Sequence, residues 1–181
     1  PHIGPTTSGG AITSWEISPS PGSAFHFNTA NGYISGTPSV LLTRTQYTIW
    51  GNNSGGSSAA YVNVTINDAV PNSLGYAPEN MTLEKGTAMT TNTPSVSGGA
   101  VTSWEINPPS LPTGLSFSTS TGAISGTPTV LQTTAVTYTI WANNSGGSPS
   151  AQVTLTINAA IAGISYAPPV ARSPARPLAC T

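Results

Sequence analysis

Charge is the scarcest property of this 181-residue chain. Four basic and five acidic side chains leave a net charge of −1, and only 5% of residues are charged. So few Lys and Arg make no footprint for a phosphate backbone, which excludes nucleic acid as a partner. Asp68 is the one aspartate, and His2 and His26 stand far apart, without Asp-x-Asp or His-x-x-x-His spacing. No ligand set for calcium or zinc can be assembled, so neither a metal nor another cofactor is expected. Glu16 and Glu105 read as solvated groups. They fall one to a repeat, too far apart for the paired carboxylates that glycoside hydrolysis holds within about 5–10 Å. Without a Ser/His/Asp set or a phosphate loop, the chain reads as not an enzyme. Cysteine is nearly missing: Cys180 is alone. No disulfide can staple a domain, and Cys180 is left as a free thiol or an interchain link. No apolar run is long enough to span a bilayer, so no membrane insertion is expected. A first residue Pro1 with no leader reads as a processed or trimmed N-terminus.

What is present is a repeat. Trp15-Glu16-Ile17 stands 89 residues before Trp104-Glu105-Ile106, and Gly36-Thr37-Pro38 stands 90 before Gly126-Thr127-Pro128. Asn52-Asn53-Ser54-Gly55-Gly56 stands 91 before Asn143-Asn144-Ser145-Gly146-Gly147. Two copies of one unit follow, with small indels between landmarks. Short runs alternate apolar residues with Thr and Ser, the period of half-buried strands. Trp15 with Ile17, and Trp104 with Ile106, face inward, so Trp15 and Trp104 are read as core anchors. Gly32 and Gly122 mark turns at positive φ. Strands are expected over Gln46–Trp50 and Val136–Trp141, with the Asn-Asn-Ser-Gly-Gly hairpin after each. The return strands are Tyr61–Asn67 and Gln152–Asn158. Val62, Val64 and Ile66 point inward, as do Val153, Leu155 and Ile157.

Leu111-Pro112-Thr113-Gly114-Leu115-Ser116-Phe117, Thr121-Gly122-Ala123-Ile124-Ser125-Gly126-Thr127-Pro128 and Asn144-Ser145-Gly146-Gly147 resemble the "putative Ig" repeats of secreted surface proteins. These are related to cadherin-like and dystroglycan-type domains. In the first repeat Gly22-Ser23-Ala24-Phe25-His26-Phe27 replaces the Leu-Pro-Thr-Gly-Leu-Ser-Phe stretch. Inside such a repeat Leu111-Pro112-Thr113-Gly114 reads as a turn rather than a sortase signal. The resemblance implies an all-β fold of two tandem Ig-like β-sandwich domains in an extracellular array, without catalysis. The boundaries drawn are domain 1 over 1–68, a linker over 69–75, domain 2 over 76–160 and an extended Pro-rich C-terminal tail over 161–181.

Tyr76 lies 28 residues before Trp104, whereas only 14 residues precede Trp15, so the first domain is short of its first strand. Ile164-Ser165-Tyr166-Ala167-Pro168 matches Leu74-Gly75-Tyr76-Ala77-Pro78. Joined head to tail, two copies put Tyr166 of one 30 residues before Trp15 of the next, close to the intact spacing. A strand lent by a neighbour would restore both core and edge and build a linear homopolymer. Ile164, Tyr166, Pro168, Val170 and Leu178 mark that donor segment. Its prolines oppose a central strand, and a window cut from a longer array has the same appearance.

Asn52, Asn63, Asn80 and Asn143 open N-x-S/T acceptors at outward or turn positions, making covalent glycans the second expected partner. Such triplets also arise by chance in Asn- and Thr-rich chains. Trp50 and Trp141 fall on the face opposite Ile49 and Ile140. An outward Trp calls for cover by a glycan, an adjacent domain or a neighbouring filament, unless the ring closes the core edge. The expected function is a glycosylated extracellular filament subunit. An adhesin or carbohydrate-binding spacer of a larger cell-surface protein is the alternative.

Overall fold

The computed structural model describes residues 2–161 and 163, and among them there are strands and turns but no α-helix. The first repeat carries β1 (His2–Ile3), β2 (Ser14–Ser18), β3 (His26–Phe27), β4 (Ile34–Ser35), β5 (Leu42–Asn53) and β6 (Gly56–Ile66). The second carries β7 (Pro71–Tyr76), β8 (Asn80–Glu84), β9 (Pro94–Gly98), β10 (Ser103–Asn107), β11 (Leu115–Phe117), β12 (Ile124–Gly126), β13 (Gln132–Asn143) and β14 (Ser150–Asn158).

The repeat holds down to single hydrogen bonds. The Trp15 amide donates to the Thr29 carbonyl at 2.9 Å, and the Trp104 amide to Thr119 at 3.0 Å. Gly32 N–H bonds Asn28 and Gly122 N–H bonds Ser118, both at 2.8 Å. These glycines have φ of 74° and 71°, and a β-carbon at either would stand 2.6–2.7 Å from the indole behind it. Only glycine meets both demands, a left-handed backbone and a ring pressed on the chain. Leu111-Pro112-Thr113-Gly114 leads into β11, tied by Leu115 N–H to the Pro112 carbonyl and by Thr127 N–H to Gly114, both at 2.9 Å.

Sheet order is β2-β5-β6 in the first repeat and β10-β13-β14-β8 in the second. The extra member, β8, runs parallel to β14, pairing Thr154 with Asn80 through Asn158 with Glu84. The opposing strands are β1-β4-β3 in one repeat, and β7-β9 and β11-β12 in the other. Each repeat has its own cluster of buried apolar side chains. One is built on Ala24, Phe25, Phe27, Ile34, Tyr47 and Ile49, the other on Tyr76, Met81, Trp104, Ile124, Tyr138, Ile140 and their neighbours. In the first, Phe25 meets Tyr47 edge-on at 5.1 Å, and so fills the stretch where the sequence departs from its twin.

Two expectations need correction. The linker drawn over 69–75 is a strand from Pro71 onward: β7 pairs with β9, Pro71 opposite Gly98 and Tyr76 opposite Pro94. Its backbone groups find partners despite a loop-like composition. The central strands are also longer than their apolar alternation. Residues Thr43–Thr45 and Thr133–Ala135, without apolar alternation, continue β5 and β13 across bulges onto β6 and β14.

Candidate functional site

The two sheets of the first repeat leave a groove where the second repeat is closed. In the second, Tyr76 and Met81 fill the space beside Trp104, with Leu74 and Leu83 packed against them. Trp104 is then 6% exposed, and Val153, Leu155 and Ile157 are 0% exposed. The counterparts Trp15, Val62, Val64 and Ile66 are only half-buried. Beside Trp15 and Val62 lies an open cavity of about 410 Å³, walled also by Ile3, Gly32, Ile34 and Ile49. Along its rim β6 has β5 on one side and, among the described residues, no strand on the other. β1 supplies part of a wall, since Ile3 opposite Ile34 repeats the bridge of Asn92 to Ile124. No described residue takes the places of β7 and β8.

The closed repeat shows what fits this groove. The Tyr76 hydroxyl donates to the Gly122 carbonyl at 2.6 Å, both groups buried. Asn92, 4% exposed, donates to the Pro78 carbonyl at 2.9 Å and to Met81 Sδ at 3.3 Å, which pins the entry to β8. Its Oδ1 has no partner among the described residues. Sequence reasoning missed the tyrosine lock. The available signal was the return of Tyr-Ala-Pro at Tyr166.

Burial pushes the Tyr76 phenol well above its ordinary value near 10. The folded second repeat therefore keeps this proton at a pH where the unfolded chain has released it. Stability is fully present below about pH 10 and falls as pH rises beyond it, because the native state binds more protons. Tyr76→Phe is expected to flatten that alkaline fall. At neutral pH it should destabilise the second repeat by about 1–3 kcal/mol, through the orphaned Gly122 carbonyl. Denaturant midpoints at pH 7 and pH 11 for both chains are the check.

A second polar feature joins the two repeats. Asp68 N–H and Oδ2 both engage the Ser145 hydroxyl, at 2.9 and 2.7 Å. Asn144 Nδ2 donates to the carbonyls of Ala69 at 2.7 Å and Ala100 at 3.0 Å, while its Oδ1 caps Gly146 and Gly147. The Asn-Asn-Ser-Gly-Gly hairpin of the second repeat thus clasps the chain that enters it.

Residues 70–158 match the protein family described as "Putative Ig domain". The second repeat belongs to this family. Curated proteins give no match to the chain. Solved structures similar to the chain include the N-terminal four Ig domains of Dscam1 isoform 8.4, at 18% identity over 70% of this chain and 30% of that one, TM-score 0.38. Domains 4 and 5 of the S-layer protein SbsC are similar at 14% identity over 83% and 74%, TM-score 0.36. Drosophila OTK extracellular domains 3–5 are similar at 15% over 80% and 50%, TM-score 0.41. The chain spans about a third of the length of the Dscam1 chain it matches.

Of the residues singled out from the sequence, Trp104 is buried in the core of this Ig domain and Trp15 lines the groove of its twin. Trp50 and Trp141 lie half-buried on the outer sheet face, and Trp141 lines a surface groove rather than the core cluster. Asn63 and Asn80 are exposed, and Asn52 and Asn143 half-exposed. Ile164, Tyr166, Pro168, Val170, Leu178 and Cys180 lie outside the described residues. Among the described residues no three His, Cys, Asp or Glu side chains converge as a metal site, and no helix could cross a membrane.

Proposed function

We propose that the chain is a structural segment of an extracellular, glycosylated array of Ig-like units. Its two tandem domains are residues 1–68 and the Ig domain that follows. In its most specific form the array is a head-to-tail filament, with the 161–181 tail of one copy completing the first domain of the next. One observation carries this reading: the groove beside Trp15 and the edge of β6, unpaired among the described residues, stand where the Ig domain holds Tyr76 and β8. An exposed edge over a half-open core invites strand addition. The tail repeats Leu-Gly-Tyr-Ala-Pro as Ile-Ser-Tyr-Ala-Pro. Burying a tyrosine and its apolar neighbours in the groove would contribute roughly 1.5–3 kcal/mol for each large side chain.

A second reading rests on the residues after that motif. Ala171 and Ser173 fall at the register of Met81 and Leu83, too small to fill their places. This favours a spacer segment of a larger adhesion protein, in which a preceding unit supplies the strand.

Electron microscopy and light scattering on the full chain and on residues 1–160 separate the two. The filament reading expects particles of the full chain to lengthen with concentration. It also expects the truncated chain to stay single, with the Ig domain still folded. Fibres from the truncated chain, or a full chain that stays monomeric, would leave the spacer reading.

A further inference from the structure

We infer that Trp50 and Trp141 are stacking platforms for sugars carried on Asn52 and Asn143, so that each repeat covers its own outward indole with its own glycan. The inference rests on the glycosylated reading above and adds which acceptors matter and why.

Trp141 and Asn143 lie two residues apart on β13, hence on one face of the sheet. That face is the outer one, since Ile140 and Ala142 between and beside them are wholly buried. Across the ladder, Glu105 stands opposite Trp141 and Ser103 opposite Asn143. These four residues and Ser148 line an open groove of about 400 Å³. The first repeat sets out the same four types: Glu16 opposite Trp50, and Ser14 opposite Asn52. There the Asn52 amide donates to Glu16 Oε1 at 3.2 Å.

The paired asparagines divide their work. Asn144 and Asn53 are turn residues, with Oδ1 accepting from Gly146 and Gly55 at 2.8 Å. Their amide nitrogens are tied to backbone carbonyls as well. The Asn143 side chain makes no hydrogen bond among the described residues and stands in the groove beside the indole. It is also the first residue of Asn143-Asn144-Ser145, as Asn52 is of Asn52-Asn53-Ser54. In both repeats the acceptor is thus the asparagine not spent on the turn, with a tryptophan two residues before it. The other two acceptors differ: Asn63 follows Tyr61 and Asn80 follows Pro78.

The sugar arrives by transfer from an activated glycosyl phosphate. The Asn143 amide nitrogen forms a bond to the anomeric carbon, whose bond to the phosphate oxygen breaks. The phosphate leaves with the electron pair and the amide gives up a proton. A pyranose so placed turns its C–H face to the indole, and Glu105 and Ser103 accept from or donate to its hydroxyls. An aromatic face that is half in water loses that water to a ring held on the same strand, so little freedom is lost on stacking.

Two measurements test this. Secretory expression in yeast, followed by glycopeptide mass spectrometry, reads occupancy. Sugar at Asn52 and Asn143 is expected; sugar only at Asn63 or Asn80 overturns the assignment, and bare asparagines throughout overturn the glycosylated reading too. Separately, Asn143→Cys in a Cys180→Ser background is alkylated with N-acetylglucosamine iodoacetamide or with plain iodoacetamide. The sugar is expected to lower the unfolding constant of the Ig domain roughly 2- to 10-fold and to reduce acrylamide quenching. Adding Trp141→Ser should abolish both gains. Equal gains with and without Trp141 overturn the platform while leaving glycosylation standing.

Discussion

Replacing Leu155 with alanine is expected to cost the Ig domain about 3–5 kcal/mol, while Val64→Ala in the first repeat costs roughly 1 kcal/mol. The two side chains occupy one register of one strand in the two repeats. Leu155 is 0% exposed and backed by Met81 of β8, so its loss leaves a void that packed neighbours cannot close. Val64 is only half-buried, on β6, which among the described residues has no strand on its outer side to back it as β8 backs Leu155. For a unit of this size the Leu155 substitution lowers its melting transition by more than about 10 °C. Differential scanning calorimetry of the two single mutants reads both transitions. Equal costs at the two sites would mean that the first core is already closed. Filling the groove makes a second reading available, since the cost at Val64 then rises toward that at Leu155. A peptide of residues 72–84, which carries the Tyr-Ala-Pro strand, serves as the filling.

Gly122→Ala has an effect of similar size by a different route. A methyl at φ 71° strains the backbone by roughly 1–2 kcal/mol. The same methyl would lie 2.7 Å from the Trp104 ring and 3.0 Å from Pro94 Cγ. Overpacking of that kind costs a further 1–3 kcal/mol or so. It also displaces the carbonyl that holds the Tyr76 hydroxyl. Gly86→Ala is the control: φ is 86°, yet nothing lies within 4 Å of its β-carbon. Urea midpoints should fall for both, and at least twice as far for Gly122→Ala. Similar falls would show that backbone strain alone decides, and that the indole gives way.

These contrasts mark how far the sequence could be read. Trp104, Ile106 and Val153 to Ile157 announce their strands because apolar side chains return every second residue on a face that is then buried. Gly32 and Gly122 announce their turns because no other residue takes that backbone against an indole. β7 was hidden, since Pro71-Asn72-Ser73 and Gly75 carry the composition of a loop. It is a strand only because β9, more than twenty residues further on, offers a matching edge. The Tyr76 lock was hidden for the same reason: a hydroxyl and a carbonyl 46 residues apart leave no local pattern. At the outer face, Trp141 and the acceptor Asn143 were legible singly. That Asn144 and not Asn143 is spent on the turn needed the hydrogen bonds.

The parallel ladder of β8 and β14 also decides how the Ig domain bears load. Tension enters this pair at Asn80 and leaves at Asn158, opposite ends of the paired stretch. The ladder is therefore pulled in shear, and its bonds must yield together instead of unzipping one at a time. Among the described residues the first repeat offers β6 no such clamp, so under tension it is the weaker link.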